Sequence, residues 1–128
     1  MAKIKQLTIA VENRPGAVAE IAKVLGKAKV NVLSLLGTTQ GTSGTIQLVA
    51  EDARRAKKAL EEAKIQFQET AAEEYELPNR AGALAQCLEK LAAKGVNLSS
   101  IHATASKGGR KAVVVYRVEA EAKAVQAA

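Results

Sequence analysis

Asn13-Arg14-Pro15-Gly16-Ala17 recurs 66 residues later in the chain as Asn79-Arg80-Ala81-Gly82-Ala83. The similarity continues past these loops, with 10 identities in the 26 aligned positions that begin at Asn13. In both copies apolar residues follow the loop at i, i+3, i+4 and i+7, which is the spacing of one buried helix face. A period this long that occurs twice indicates a duplicated small domain and not a solenoid, which needs at least three repeats.

The first copy is predicted to form four strands and two helices. They are a strand over 7–11, a helix after Gly16, strands over 30–39 and 45–50 joined at 41–44, a helix over 53–64 capped by Asp52, and a strand over 65–69. This βαββαβ order is that of the ferredoxin-like fold, an α+β class in which helices cover one face of an antiparallel sheet.

The second copy repeats the same order but stops early. Its predicted elements are a strand up to 77, a helix over 82–94, a strand from 96, a turn over 107–110, a strand over 111–118, and a helix over 119–128. We therefore predict two tandem domains, 1–70 and 71–128, with the second lacking its last strand. That absence predicts an uncovered sheet edge near Tyr75. Together with a core dominated by alanine it predicts a homodimer or higher homo-oligomer, unless strands of the first copy cover that edge within the chain.

Composition excludes several classes of protein. Charged residues make up 25% of the chain, and its longest aliphatic stretch is Ala112 to Val115. We therefore expect neither a membrane protein nor a secreted protein, and we expect a cytoplasmic location. One cysteine and one histidine provide no zinc site, so no metal and no cofactor are expected. A net charge of +6 is spread along the chain, and three aromatic residues offer too few stacking surfaces for specific nucleic-acid binding.

The loop and the two stretches after it resemble a known family. Residues 12–18, the helix that follows, and Lys29-Val30-Asn31-Val32 are similar to the ACT domain. The nearest parallel in motif is the serine-sensing domain of bacterial phosphoglycerate dehydrogenase. The resemblance implies a regulatory module that binds an amino acid. Val11 and Leu77 stand where that enzyme has a histidine, which argues against serine itself.

The resemblance also implies which residues contact the ligand. They are the loop and strand-start residues of both copies: Asn13, Arg14, Pro15, Gly16, Ala17, Asn31, Asn79, Arg80, Ala81, Gly82, Ala83 and Asn97. Independent physical reasons favour the loops, because a glycine at a helix start lets a carboxylate approach free backbone N–H groups. The structural alternative is that each asparagine bonds to its own turn.

Helix length suggests how the asparagines combine. A helix of about 13 residues separates the loop asparagine from the strand asparagine of one copy by on the order of 20 Å. One amino acid does not span that distance. The sequence therefore predicts that a shared ligand lies between the domains, with Asn13 paired to Asn97 and Asn79 paired to Asn31.

Three functions are compatible with the sequence. The leading hypothesis is a stand-alone, non-catalytic amino-acid sensor that acts on a regulated enzyme or a transcription partner. The second is an assembly or dimerisation subunit whose ligand site is vestigial. The third is an acylphosphatase-like enzyme, for which Arg14 in the first loop is weak support.

Other polar residues have simpler explanations. Cys87 falls on the apolar helix face and is expected to be a core thiol. His102 aligns with a strand leucine and is expected to have a structural role. In the basic run over 54–58, Lys57 and Lys58 are predicted to pair with Glu61 and Glu62 on a solvated helix face.

Overall fold

The computed structural model of the chain describes residues 2–118, which contain six strands and three helices. They are β1 (Ala2–Glu12), α1 (Ala17–Lys27), β2 (Val32–Gln40), β3 (Ser43–Ala50), α2 (Ala53–Glu62), β4 (Gln68–Pro78), α3 (Ala83–Ala93), β5 (Leu98–Ala105) and β6 (Lys111–Val118). By their contacts these residues divide into two compact units. The first unit contains residues 5–70, and the second contains residues 2–4 and 71–118.

The first unit confirms the predicted order of elements. Its strands lie in the order β2-β3-β1, with the start of β4 next to β1. Leu7 lies opposite Leu48 and Ile9 opposite Ile46 in the antiparallel register of β1 and β3. These side chains pack against α1 and α2, where Leu60 of α2 is fully buried. One face of the sheet and two helices therefore make this core.

The second unit has the strand order β4-β6-β5 and one described helix, α3. Its core contains Cys87, Leu91, Val114 and Tyr116. The ring of Tyr75 stacks on that of Tyr116, with centroids 6.0 Å apart. Cys87 is thus a buried core thiol, as its position on the helix pattern predicted.

The edge of β4 that was predicted to be open is hydrogen-bonded to β1. β1 lies next to β4, and residues 2–4 of β1 belong to the second unit. The start of the chain thus occupies the position that a missing fourth strand would have left open. This removes the reason for which an oligomer was predicted from that edge. The domain limits 1–70 and 71–128 stay a prediction, because β1 and β4 each contribute residues to both units.

The strands predicted over 65–69 and up to 77 form one continuous strand, β4. Residues 65–67 lie outside it, because the chain leaves α2 through Lys64 in a left-handed conformation with a φ of 60°. The N–H of Ile65 then donates to the carbonyl of Leu60 at 2.9 Å, and Ile65 packs on the core. No glycine, proline, asparagine or aspartate interrupts residues 68–77, so nothing in that stretch breaks the strand.

All three described helices end in the same way. Lys29, Lys64 and Gly95 follow them in the left-handed region, with φ values of 61°, 60° and 76°. In each case the N–H of this residue and of the next one bond back to carbonyls of the last helical turn. This is the Schellman motif, which usually has glycine at the left-handed position. Two lysines therefore stand where glycine is preferred.

The predicted ion pairs along α2 are wrong. Lys57 pairs with Glu69 at the start of β4, at 3.0 Å, and not with Glu61. Lys58 forms no ion pair within residues 2–118. The basic side chains of α2 still lie mainly at the surface. Glu69 of β4 thus replaces Glu61 as the partner of Lys57, and the spacing along one helix does not reveal a partner from a strand.

Three further predictions concern particular residues or segments. His102 lies on β5, opposite Val115 of β6, as a strand residue should. The helix predicted over 119–128 falls outside the described residues. None of the helices in residues 2–118 is long and apolar enough to cross a membrane.

Candidate functional site

The loops that precede α1 and α3 have the same backbone geometry. Gly16 and Gly82 are the N-caps, with φ values of 86° and 87°. A Cβ built on either glycine meets no heavy atom of the described residues within 4 Å. The positive φ, and not crowding, is therefore what favours glycine here. The space beside each helix start is open to a small molecule.

The first turn of each helix leaves backbone donors available. In α1 the N–H groups of Ala17 and Glu20 donate to the carbonyls of Arg14 and Gly16, at 3.3 and 3.0 Å. The loop before α3 repeats both bonds, at 3.2 and 3.0 Å. The two N–H groups between them in each helix have no carbonyl partner in the described part of the chain. Such groups, together with the helix dipole, favour a carboxylate.

Each loop asparagine is bonded to the hairpin turn of its own unit. Asn13 donates from Nδ2 to the carbonyl of Gly41 at 3.0 Å. Asn79 donates from Nδ2 to the carbonyls of Ser106 and Gly109, at 3.1 and 2.8 Å. The side-chain amide therefore fixes the loop against the turn and leaves its Oδ1 as an acceptor for a ligand. Both asparagines thus have a structural role, but they bond to a distant hairpin turn and not to their own turn, which was the alternative expected from the sequence.

The strand asparagines do not join the loops within a unit. Asn31 and Asn97 are exposed and follow the far ends of α1 and α3. The carbonyl of Asn31 accepts a hydrogen bond from the N–H of Glu51 at 2.9 Å. Because 11 helical residues span about 16 Å, Asn13 and Asn31 lie at opposite ends of α1. One unit alone does not bring the two kinds of asparagine to one ligand.

The arginines of the two loops differ in their partners. Arg14 donates from one guanidinium nitrogen to both carboxylate oxygens of Glu20, at 2.9 and 3.1 Å, and lies 3.7 Å from Glu12. This contact raises the pKa of Arg14 and lowers that of Glu20. Arg80 forms no ion pair with any described residue. Arg14, which supported the acylphosphatase hypothesis, is therefore occupied by a neighbouring carboxylate.

Both loops border a cavity within their own unit. The cavity in the first unit has a volume of about 540 Å³ and includes Arg14, Ala17 and Glu20 in its wall. The cavity in the second unit has a volume of about 200 Å³ and includes Asn79, Arg80 and Ala83. Pro15 and Ala81 are exposed beside these residues. The loop residues predicted from the sequence thus gather at one end of each unit.

A larger groove in the first unit contains none of the predicted ligand residues. It has a volume of about 850 Å³ and lies between β1 and residues 64–68. Thr8 is in its wall, and the buried hydroxyl of Thr8 has no hydrogen-bond partner in the described structure. The loop geometry is repeated in both units, whereas this groove is lined only by residues of the first unit. The loops are therefore the stronger candidate site.

Sequence reasoning missed Glu20, which controls the charge of the first loop. The alignment of the two copies places Glu20 over Gln86, so a change of charge at that position was the available signal. Within residues 2–118 no group of three histidine, cysteine or acidic side chains is placed to bind a metal ion.

About half of the chain matches a known family of domains. Residues 5–67 match the family model of the ACT domain. No curated protein sequence matches the chain significantly. A structure from Bacteroides thetaiotaomicron is 30% identical and has a TM-score of 0.85, covering 97% of this chain and 85% of that one.

Two less similar structures share the fold. The ligand-free regulatory subunit of aspartate kinase from Thermus thermophilus is 18% identical with a TM-score of 0.69, covering 95% of this chain and 92% of that one. The corresponding subunit from Thermus flavus is 16% identical with a TM-score of 0.60, covering 89% and 82%. Residues 5–67 of the chain therefore belong to the ACT-domain family, and the same loop geometry recurs after them.

Proposed function

We propose that this chain is a non-catalytic regulatory module that binds a free amino acid and reports it to a partner protein. Membership in the ACT-domain family supports a regulatory role. Two structures that share its fold are regulatory subunits of aspartate kinase. The partner would be an enzyme of amino-acid metabolism or a transcription factor.

The observation that carries this proposal is the repeated loop. Gly16 and Gly82 have φ values that differ by one degree, although the helices after them differ at most positions. In both loops an asparagine is fixed by its amide nitrogen, and two N–H groups at the helix start lack a carbonyl partner among the described residues. An α-carboxylate suits those N–H groups, and an ammonium suits the asparagine oxygen.

The sharing of a ligand between two kinds of asparagine is a separate part of the proposal. It rests on the length of α1, which keeps Asn13 and Asn31 apart. A ligand that contacts one loop asparagine and one strand asparagine would need them from different units. The pairs would be Asn13 with Asn97 and Asn79 with Asn31. Binding at such a site would change the relative position of the units, which is a way to signal a partner.

A thermal-shift screen over the common amino acids tests the proposal. A ligand at about 100 times its dissociation constant stabilises the folded state by about 2.7 kcal/mol and shifts melting by several degrees. Calorimetry on Asn13→Ala, Asn97→Ala and the double variant then measures coupling, with the exposed Lys58→Ala as control. We expect the double change to weaken binding less than additively. If no amino acid shifts melting, the sensor function is wrong.

One observation favours the alternative of an assembly subunit. β2 is an edge strand of the first unit, and it exposes Leu33, Leu35 and Leu36 by 54%, 41% and 37%. An apolar edge of this kind favours pairing with another copy of the chain. Sedimentation that shows a dimer, lost in Leu35→Lys, together with no amino-acid binding would establish assembly as the function.

A further inference from the structure

We infer that the loop end of the second unit selects an acidic ligand, an amino acid with a second carboxylate, whereas the loop end of the first unit does not. The loop end is the β–α loop, the first helical turn and the hairpin turn that the loop asparagine contacts. This inference rests on the proposed amino-acid binding and names the ligand class for one of its two sites.

The charges of the two loop ends are opposite in sign. In the second unit residues 76–80, 86 and 106–111 contain four cations, Arg80, Lys107, Arg110 and Lys111, and one carboxylate, Glu76. That carboxylate is bound by Lys111 at 3.1 Å. The matching positions of the first unit contain one cation, Arg14, and two carboxylates, Glu12 and Glu20. An anionic ligand is therefore attracted to the second loop end and not to the first.

Arg80 occupies the same backbone position as Arg14. The N–H of each arginine donates to the carbonyl two residues earlier, at 3.0 Å in both units. The glycine two residues later has the same conformation in both. The difference lies at the residue six positions after the arginine, which is Glu20 in one unit and Gln86 in the other. Glutamine provides no charge to hold Arg80, whose guanidinium remains available for a carboxylate.

The cavity beside Arg80 fits a short ligand. It is smaller than its counterpart beside Arg14, at about 200 Å³ against about 540 Å³. Apart from Asn79, Arg80 and Thr104, its wall is apolar. A ligand whose α-carboxylate meets the N–H groups at the start of α3 would place a short acidic side chain within reach of Arg80. Aspartate and glutamate have that chemistry, and their amides have the same shape without the charge.

The duplicated fold provides a reciprocal experiment. Gln86→Glu gives Arg80 the partner that Arg14 has, and Glu20→Gln removes that partner from Arg14, while both arginines stay in place. Titration calorimetry with L-aspartate and L-glutamate, against L-asparagine, L-glutamine and inorganic phosphate, measures selectivity. We expect the unmodified protein to prefer one acid over its amide by about tenfold, since a charge-assisted hydrogen bond is involved. High salt should reduce this preference.

The variants should move the preference in opposite directions. Gln86→Glu should remove it while binding of neutral amino acids persists. Glu20→Gln leaves Arg14 only the longer contact to Glu12, so it should raise the affinity of the first loop end for the acids relative to their amides. An equal affinity for acid and amide, or a preference that survives Gln86→Glu, overturns the inference and leaves the proposed function intact. Phosphate binding with the same dependence on residue 86 shows a general anion site and also overturns it. If no amino acid binds at all, the proposed function itself fails.

Discussion

Asn79→Ala removes the bonds that hold the second loop to its hairpin turn. Nδ2 of Asn79 donates to the carbonyls of Ser106 and Gly109, at 3.1 and 2.8 Å. The matching Asn13→Ala removes one bond of this kind, to the carbonyl of Gly41 at 3.0 Å. The two variants therefore differ by one hydrogen bond at equivalent positions of a repeated loop.

The number of bonds sets the expected loss of stability. An exposed hydrogen bond contributes about 0.5 to 1 kcal/mol net, so Asn79→Ala should lower the free energy of unfolding by about 1 to 2 kcal/mol. Asn13→Ala should lower it by about half as much. Asn79→Asp should be worse than alanine at neutral pH, because an ionised carboxylate next to two carbonyl oxygens repels them and donates nothing. Its deficit should shrink as the pH falls and the carboxyl group becomes protonated.

Urea denaturation of the unmodified protein and of these three variants measures the losses in the free energy of unfolding. A loss of 1 kcal/mol corresponds to a melting shift of about 4 °C in a chain of this size, which calorimetry resolves. Asn31→Ala is the matched control, since its side chain is exposed and makes no hydrogen bond to a described residue, so we expect a change within about 0.5 kcal/mol. Equal losses in Asn79→Ala and Asn13→Ala, or losses no larger than the control, refute the role of the bonds.

Two further predictions concern stability. Lys29→Gly and Lys64→Gly should each stabilise the protein by about 0.5 kcal/mol, because a left-handed conformation costs lysine about 1 to 2 kcal/mol and the freer unfolded chain costs glycine about 0.5 to 1 kcal/mol. Gly95→Lys should destabilise the protein, and thermal melting that orders the variants otherwise contradicts this. Arg14 lowers the pKa of Glu20 below its usual value of 4.5. The ion pair therefore stabilises the folded state above the unfolded pKa of Glu20, and this stabilisation is lost as the pH falls through the lowered pKa. Urea denaturation at neutral and acid pH should show this loss in the unmodified protein and not in Glu20→Gln.

The repeat and the helix pattern were enough to predict the fold of each unit. The alternation of Leu7, Ile9 and Val11 is a local signal, and these residues pack in the core of the first unit. The apolar spacing after Gly16 located the helix but only half of its buried face, because Ile21 and Leu25 are buried whereas Val18 is 42% exposed and Ala22 is exposed. Cys87 was predicted to be in the core by the same spacing. The glycines of the two loops were recognisable for the same reason, since a positive φ is a property of the local chain.

The candidate site was predictable only in part. The sequence determined that Asn13 and Asn79 lie in equivalent loops, because the duplication is written in the residues themselves. Only the tertiary structure decided that their amides bond to hairpin turns 27 to 30 residues away, and that Glu20 forms an ion pair with Arg14. Such bonds depend on which parts of the chain meet in space, and spacing along one element does not contain that information.

Strand pairing shows most clearly what the sequence determined and what only the tertiary structure decided. Within residues 2–118 the sequence alone indicated the order of the strands and helices, because periodicity and turn residues act within a few positions of one another. It did not determine that residues 65–67 leave the sheet, that β4 runs unbroken from Gln68 to Pro78, or that the start of β1 belongs to the second unit. Those outcomes were decided by tertiary structure, since an edge strand takes whatever backbone partner the fold brings beside it.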